Sequence, residues 1–187
     1  MKKRYFCIVC ISLFFGVAFC LAQASQPAKA GKAPSSATKK HVMVSPDDLK
    51  WGPLSQSFVQ GTPGPEFAGP PKAQVAVVSG DPTKPGPYVI RIKTPDGEKI
   101  PPHWHPQDEN VTVLQGTLAV GTGDKFDQTA GHDLPAGGYL LMPKGVHHFA
   151  WSKGESLIQV HGQGPFKIIF VGSGAKAKAK PASAKSK

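Results

Sequence analysis

Apolar and polar residues alternate with a period of two over several short runs, and turns rich in glycine and proline separate them. In Tyr88–Lys93, for example, Tyr88, Ile90 and Ile92 fall on one face and Val89, Arg91 and Lys93 on the other. Runs of similar length occur at Val75–Ser79, Pro101–His105, Asn110–Gln115, Thr117–Thr122, Gly138–Met142, His147–Ser152, Ser156–His161 and Phe166–Val171. Each predicts a strand. Pro95-Asp96-Gly97 predicts a turn, Gly116 a hairpin between the runs that flank it, and residues 123–136 a polar connection holding His132 and Asp133. Evenly spaced short strands with such turns predict an all-β fold, a small antiparallel β-barrel or double-sheet jelly roll. A chain of 187 residues has room for one such domain and little more, and its 21 Gly and 19 Pro leave few windows for a long helix. No repeat of 20 to 50 residues interrupts this picture.

The pattern breaks at both ends. Lys2, Lys3 and Arg4 precede an apolar run from Phe6 to Cys20, and Ala22-Gln23-Ala24 has the small-x-small form of a cleavage site. Residues 1–24 therefore predict a signal peptide and a periplasmic or secreted protein. An uncleaved anchor is one alternative. A lipoprotein using Cys20 is another, although Phe19 stands where that signal has a small residue. Residues 25–41 and 173–187 are rich in Ala, Ser, Pro and Lys and predict disordered tails. Between the first tail and the barrel, expected over 75–172, lies an approach segment, 42–74. There Val42 and Val44 alternate like an edge strand, Ser45-Pro46-Asp47-Asp48 can start a helical turn, and Trp51, Phe58 and Phe67 can anchor a wrapping chain or a lid.

Charge and cysteine narrow the function classes. Twelve of the 22 basic residues lie in the first four residues and the two tails, so the body carries ten basic against 12 acidic residues, about −2 rather than the +10 of the whole chain. The basic balance thus belongs to the tails. It predicts solvated tails, with weak contact to anionic envelope components as the alternative, and not a nucleic-acid partner. Cys7, Cys10 and Cys20 all fall within 1–24, which leaves the mature chain without a disulfide, a thiolate ligand or a thiol nucleophile. Phosphate loops, dinucleotide fingerprints and nucleophile elbows are absent as well.

The remaining chemistry sits in two stretches. Gly97 to Gly116 presents His103, His105 and Glu109, and Gly137 to His148 presents His148. On a strand His103 and His105 share a face, and Glu109 can return to it past Pro106. Three imidazoles and a carboxylate form a nitrogen/oxygen cage suited to a divalent transition metal. The spacing Gly97-x5-His103-x-His105-x3-Glu109-x6-Gly116 resembles the first motif of the cupin superfamily at every position. Gly137-x5-Pro143-x-Gly145-x2-His148 resembles the second, with Ser152 where the family often has Asn. The resemblance covers roughly residues 75–171. It implies a jelly-roll barrel, also called a double-stranded β-helix, with a metal inside held by His103, His105, Glu109 and His148, and a homodimer.

Two function classes follow. The first is a metal-dependent dioxygenase or other oxidoreductase acting on a small organic substrate, with Glu109 also a candidate catalytic base. The second is a non-catalytic module that binds or senses a small molecule or the metal itself. Four protein donors leave open positions on Mn, Fe, Ni or Cu but saturate a tetrahedral Zn. Loading outside the cytoplasm favours Cu and Zn by affinity. Arg91, Gln159 and His161 are further candidates, expected to line the pocket or clamp an anion. Asp108, His147, His41 and His132 are expected to serve in loops or at the surface.

Overall fold

A computed structural model describes residues 41–67 and 72–172. The expected signal peptide, the linker up to residue 40 and the tail 173–187 lie outside the described residues. The strands in chain order are β1 (Gly52–Pro53), β2 (Val59–Gln60), β3 (Gln74–Ser79), β4 (Gly86–Thr94), β5 (Lys99–Trp104), β6 (Glu109–Thr122), β7 (His132–Pro135), β8 (Tyr139–Met142), β9 (His148–Gly164) and β10 (Ile168–Phe170). They join in one ten-stranded sheet, accompanied among the described residues only by short 3-10 turns. The sheet curls into a half-barrel, and the all-β jelly roll predicted by the alternation is the fold observed.

Two long strands organise the sheet. β6 and β9 run antiparallel along almost their whole length, with Glu109 opposite Gly162 at one end and Thr122 opposite His148 at the other. The C-terminal part of β9 continues through β4, β3 and β1, and its N-terminal part through β5, β10 and β2. β8 and β7 pair with the two ends of β6. The chain thereby builds two facing halves. Val111, Val113, Ile90 and Val160 from one half meet Leu118, Val120, Ala150 and Ile168 from the other in the apolar core.

The bend between the halves corrects a sequence expectation. Gly116 does not close a hairpin. The runs Asn110–Gln115 and Thr117–Thr122 are parts of the single strand β6, and His147–Ser152, from His148 onward, merges with Ser156–His161 in the same way into β9. The register shifts on both sides of Gln115, as a bulge bends a strand without reversing it. Gly116 has φ +73°, and a Cβ there would collide with the Glu155 carbonyl oxygen. The bulge also changes which positions point inward, from odd (Val111, Val113) before it to even (Leu118, Val120) after it. Asp96 pins the opposing turn by accepting from the Gly154 amide at 2.7 Å, and the Ser156 hydroxyl donates to the Thr117 carbonyl at 3.0 Å.

Other expectations shift. The polar connection 123–136 contains β7, an exposed edge strand whose polarity suits an edge. Val42 and Val44 form no strand and are exposed. The turn after them is a 3-10 turn over Pro46–Asp48, in which the Asp48 carboxylate accepts from the Ser45 amide at 2.9 Å. The approach segment nevertheless wraps the barrel. β2 pairs parallel with β10, buried Phe58 meets Phe166 edge-on at 5.6 Å, and Phe67 meets Phe126 at 5.4 Å. Phe126 also completes a second apolar cluster with Phe149 and Trp151.

Two glycines separate conformational cost from steric cost. Gly145 also has a positive φ, +74°, but a Cβ there meets nothing within 4 Å. Gly145→Ala is expected to cost about 1–2 kcal/mol, the usual penalty for a left-handed residue bearing a Cβ. Gly116→Ala is expected to cost clearly more because backbone must also move. Urea unfolding of the two variants beside the parent measures the difference.

Candidate metal centre

The site lies where the two halves meet. His103, near the end of β5, is the backbone partner of His148, the first residue of β9, and their rings lie 4.1 Å apart. β5 shifts register between Ile100 and His103. The shift falls at Pro101 and Pro102, which have no N–H to give to a ladder, and it brings Ile100 and His103 to the same cavity. His105 stands one residue beyond the strand. Its carbonyl accepts from the Gly145 amide at 2.9 Å, which ties the stretch from Gly97 to Gly116 to the stretch from Gly137 to His148. Glu109 opens β6 between Gly162 and Met142.

All three imidazoles are buried, and all three use Nδ1 on a backbone carbonyl. His103 bonds Pro101 at 2.7 Å, His105 bonds Lys167 at 2.5 Å and His148 bonds Val146 at 3.0 Å. A carbonyl can only accept, so each Nδ1 carries a hydrogen and Nε2 is left for a ligand. The three potential ligand nitrogens lie within 4.8 Å of one another, close to the roughly 4.2 Å maximum for two donors 2.1 Å from one ion. The Nε2 atoms of His105 and His148 are buried without a hydrogen-bond partner. Glu109 sets its Oε2 3.4 Å from His105 Nε2 and 3.7 Å from His148 Nε2. Lone pairs and a carboxylate thus converge in an apolar setting, an arrangement that a bound cation relieves. A divalent metal fits this donor set.

The electrostatics show the same demand. Burial, then the neighbouring His148 and His105, holds His103 well below the ordinary imidazole pKa. Burial also opposes charge on His105, but the Glu109 carboxylate outweighs it and raises the His105 pKa. Burial opposes ionisation of Glu109, yet His105 and His148 together keep its pKa well below the carboxylate range. Burial, and then the Glu109 charge, raises the Tyr88 phenol. Glu109 thereby favours the protonated form of His105.

Surrounding residues hold the rings. Phe166 stacks on His105 at 5.3 Å and also packs against Phe58 and, at 5.7 Å, Tyr88. Lys167 receives the His105 hydrogen bond at its carbonyl and donates its own Nζ to the Ser57 carbonyl. One turn therefore positions a candidate ligand and fastens the wrapping segment. Nothing in the sequence flags the carbonyls of Pro101, Val146 and Lys167, because every residue has one. Phe166 offered only its aromatic character at the start of a short apolar run.

A cavity of 570 Å³ extends from the cluster between the two halves of the sheet. Arg91, Gln159 and His161 do not line it. The inward positions of β4 and β9 are Ile90, Ile92, Ile158 and Val160, so the odd positions face the outer surface. There Gln159 accepts from Arg91 Nε at 3.3 Å and the Asn110 amide donates to the His161 carbonyl at 3.2 Å. The polar partner that Gln159 requires is Arg91, on the neighbouring strand, and not a cavity ligand. His147 turns away from the cluster and bonds Asp124 at 2.5 Å. Asp108 accepts from the Lys144 amide at 2.8 Å, a loop contact, and His41 and His132 are exposed.

The raised His105 pKa makes metal uptake pH-dependent in a defined sense. The metal-free protein keeps a proton on His105 above the ordinary imidazole range of about 6.5, and an incoming ion displaces it. At a pH above the raised His105 value that proton has already left. Zinc uptake is therefore expected to release more protons per ion near neutral pH than at alkaline pH, measurable by calorimetry in buffers of differing ionisation heat.

Residues 90–171 match a family model described as the cupin domain. Germin-like protein 9-3 of Oryza sativa subsp. japonica is 38% identical over 56 residues, 29% of this chain and 26% of that protein. Germin-like protein subfamily 2 member 1 of Arabidopsis thaliana is 37% identical over 71 residues, 37% of this chain and 32% of that protein. The chain thus matches only about a quarter to a third of the length of these relatives. Among solved structures, the polyketide cyclase RemF of Streptomyces resistomycificus superposes with a TM-score of 0.50 at 15% identity, over 66% of this chain and 80% of that one; the likeness is one of fold. Over residues 90–171 the chain is thus similar to cupin-domain proteins.

Proposed function

We propose that residues 90–171 form a cupin domain that works as a metal-dependent oxidoreductase of the dioxygenase type, acting on a small organic substrate held in its cavity. His103, His105, Glu109 and His148 hold the ion in this reading. The observation that carries it is the convergence of unpartnered, buried imidazole nitrogens and one carboxylate on the wall of a large cavity. An ion held by these residues would supply Lewis acidity and, if redox-active, electron transfer to dioxygen.

The protein's own groups divide the remaining work. The apolar walls of the cavity keep water from the reacting atoms. The three backbone carbonyls hold the imidazole rings in a single orientation. Glu109 stays ionised and can accept the proton of a substrate hydroxyl as the oxygen approaches. Tyr88 stays protonated beside it.

Oxygen consumption tests this reading. Protein loaded in turn with Fe, Mn and Cu is expected to consume dioxygen with at least one member of a panel of phenols, thiols and diketones, and His148→Ala is expected to abolish it. Silence across the panel with a fully loaded site would instead support the non-catalytic binding module. The basic, apolar and small-x-small order of residues 1–24 supports export from the cytoplasm. N-terminal sequencing of the natively exported protein is expected to begin at Ser25, and a start at Met1 would rule out cleavage.

A further inference from the structure

The cavity wall carries information about the substrate that the metal cluster does not. Beyond the cluster, the surface is aliphatic and aromatic: Ile92, Val111, Leu118, Val120, Ile158 and Phe170 are typical of it. Thr94 is the one other buried polar side chain among the described lining residues, and its hydroxyl is already engaged with that of Ser152 at 2.5 Å. The charged lining residues other than Glu109 are Glu66, Lys72, Glu98 and Lys99, which are exposed or half-buried on the wrapping segment, β5 and the turn before it. Lys99 sets its Nζ 5.5 Å from the Phe126 ring, which does not line this cavity, and Lys72 is exposed. The volume, 570 Å³, is in the range of sites that enclose a drug-sized molecule.

Charge sets the head group. A divalent ion with Glu109 and three neutral imidazoles has a net charge of about +1. One ionised oxygen donor neutralises it. A small dianion would leave an uncompensated negative charge against apolar walls, which is costly, and would leave most of the cavity as water against hydrocarbon.

We infer that the cavity takes an apolar organic molecule ending in a singly ionised oxygen donor of the phenol or enol type, with its hydrocarbon body lying along the walls away from the cluster. The inference rests on the reading of the cluster as a metal site. It does not require catalysis, so it is separable from the oxidoreductase assignment.

The test uses full-length mature protein loaded with nickel under anaerobic conditions, an ion that keeps positions open beside four protein donors, and titrates it with catechol, 4-methylcatechol, 4-butylcatechol, 4-hexylcatechol and malonate. The dissociation constant is expected to fall about threefold to fourfold for each added methylene, and malonate is expected to bind more weakly than any alkylcatechol. Leu140→Gln, a half-buried wall position, is expected to weaken the hexyl compound at least tenfold while leaving catechol within twofold. His148→Ala is expected to weaken the whole series in parallel. A flat series, tighter binding of malonate, or equal loss of catechol and hexylcatechol in Leu140→Gln would overturn the inference. Failure of the parent to take up nickel would remove the metal reading and this one with it. A steep series in a protein that consumes no oxygen with Fe, Mn or Cu would uphold this inference and sink only the dioxygenase reading.

Discussion

Three hydrogen bonds from imidazole Nδ1 atoms to backbone carbonyls are the constraint on which the rest of the site depends. Each fixes a ring and its tautomer and commits Nε2 to the centre. The acceptors belong to three separate places: the residue two before His103, the residue two before His148, and the turn that leads into β10. The first two come from local backbone geometry. The third exists only because β10 folds back beside β5, with Ile169 opposite Trp104. Loss of that pairing would release His105 even with every ligand side chain intact.

The barrel tolerates this cluster because β6 and β9 are long enough to belong to both halves. Glu109 stands at the end of β6 in one half, while His103 and His148 stand on strand ends in the other. The bulge at Gly116 brings these ends to one place. It also reverses the inward parity along β6, so Glu109, Val111 and Val113 can share the cavity or core with Leu118 and Val120. A regular strand of this length would have turned one of those sets toward solvent. The electrostatic tension at the cluster is the local consequence: a carboxylate and several imidazoles are desolvated together, and the surrounding packing holds them there.

The wrapping segment couples the exterior to this centre through Phe58, Phe166 and Lys167. Phe166 touches both Phe58 and the His105 ring. The same turn ties Ser57 through the Lys167 side chain and His105 through the Lys167 carbonyl. Metal-site geometry and the seating of residues 55–60 are therefore parts of one packing arrangement.

The sequence by itself determined the fold class and the composition of the cluster. Period-two alternation requires one buried face, and the spacings around His103, His105, Glu109 and His148 could be read one residue at a time. Gly97, Gly116, Gly137 and Gly145 were legible as special positions too, and all four have positive φ. Only the tertiary structure decided what those positions do. A positive-φ glycine reads as a turn in sequence, but whether the chain reverses or bends depends on the strand beside it, and β9 keeps Gly116 within one continuous strand. Alternation likewise puts Arg91, Gln159 and His161 on a common type of face without saying which face encloses the cavity. That choice is made when the sheet curls, because only the curvature decides which side of a strand becomes interior.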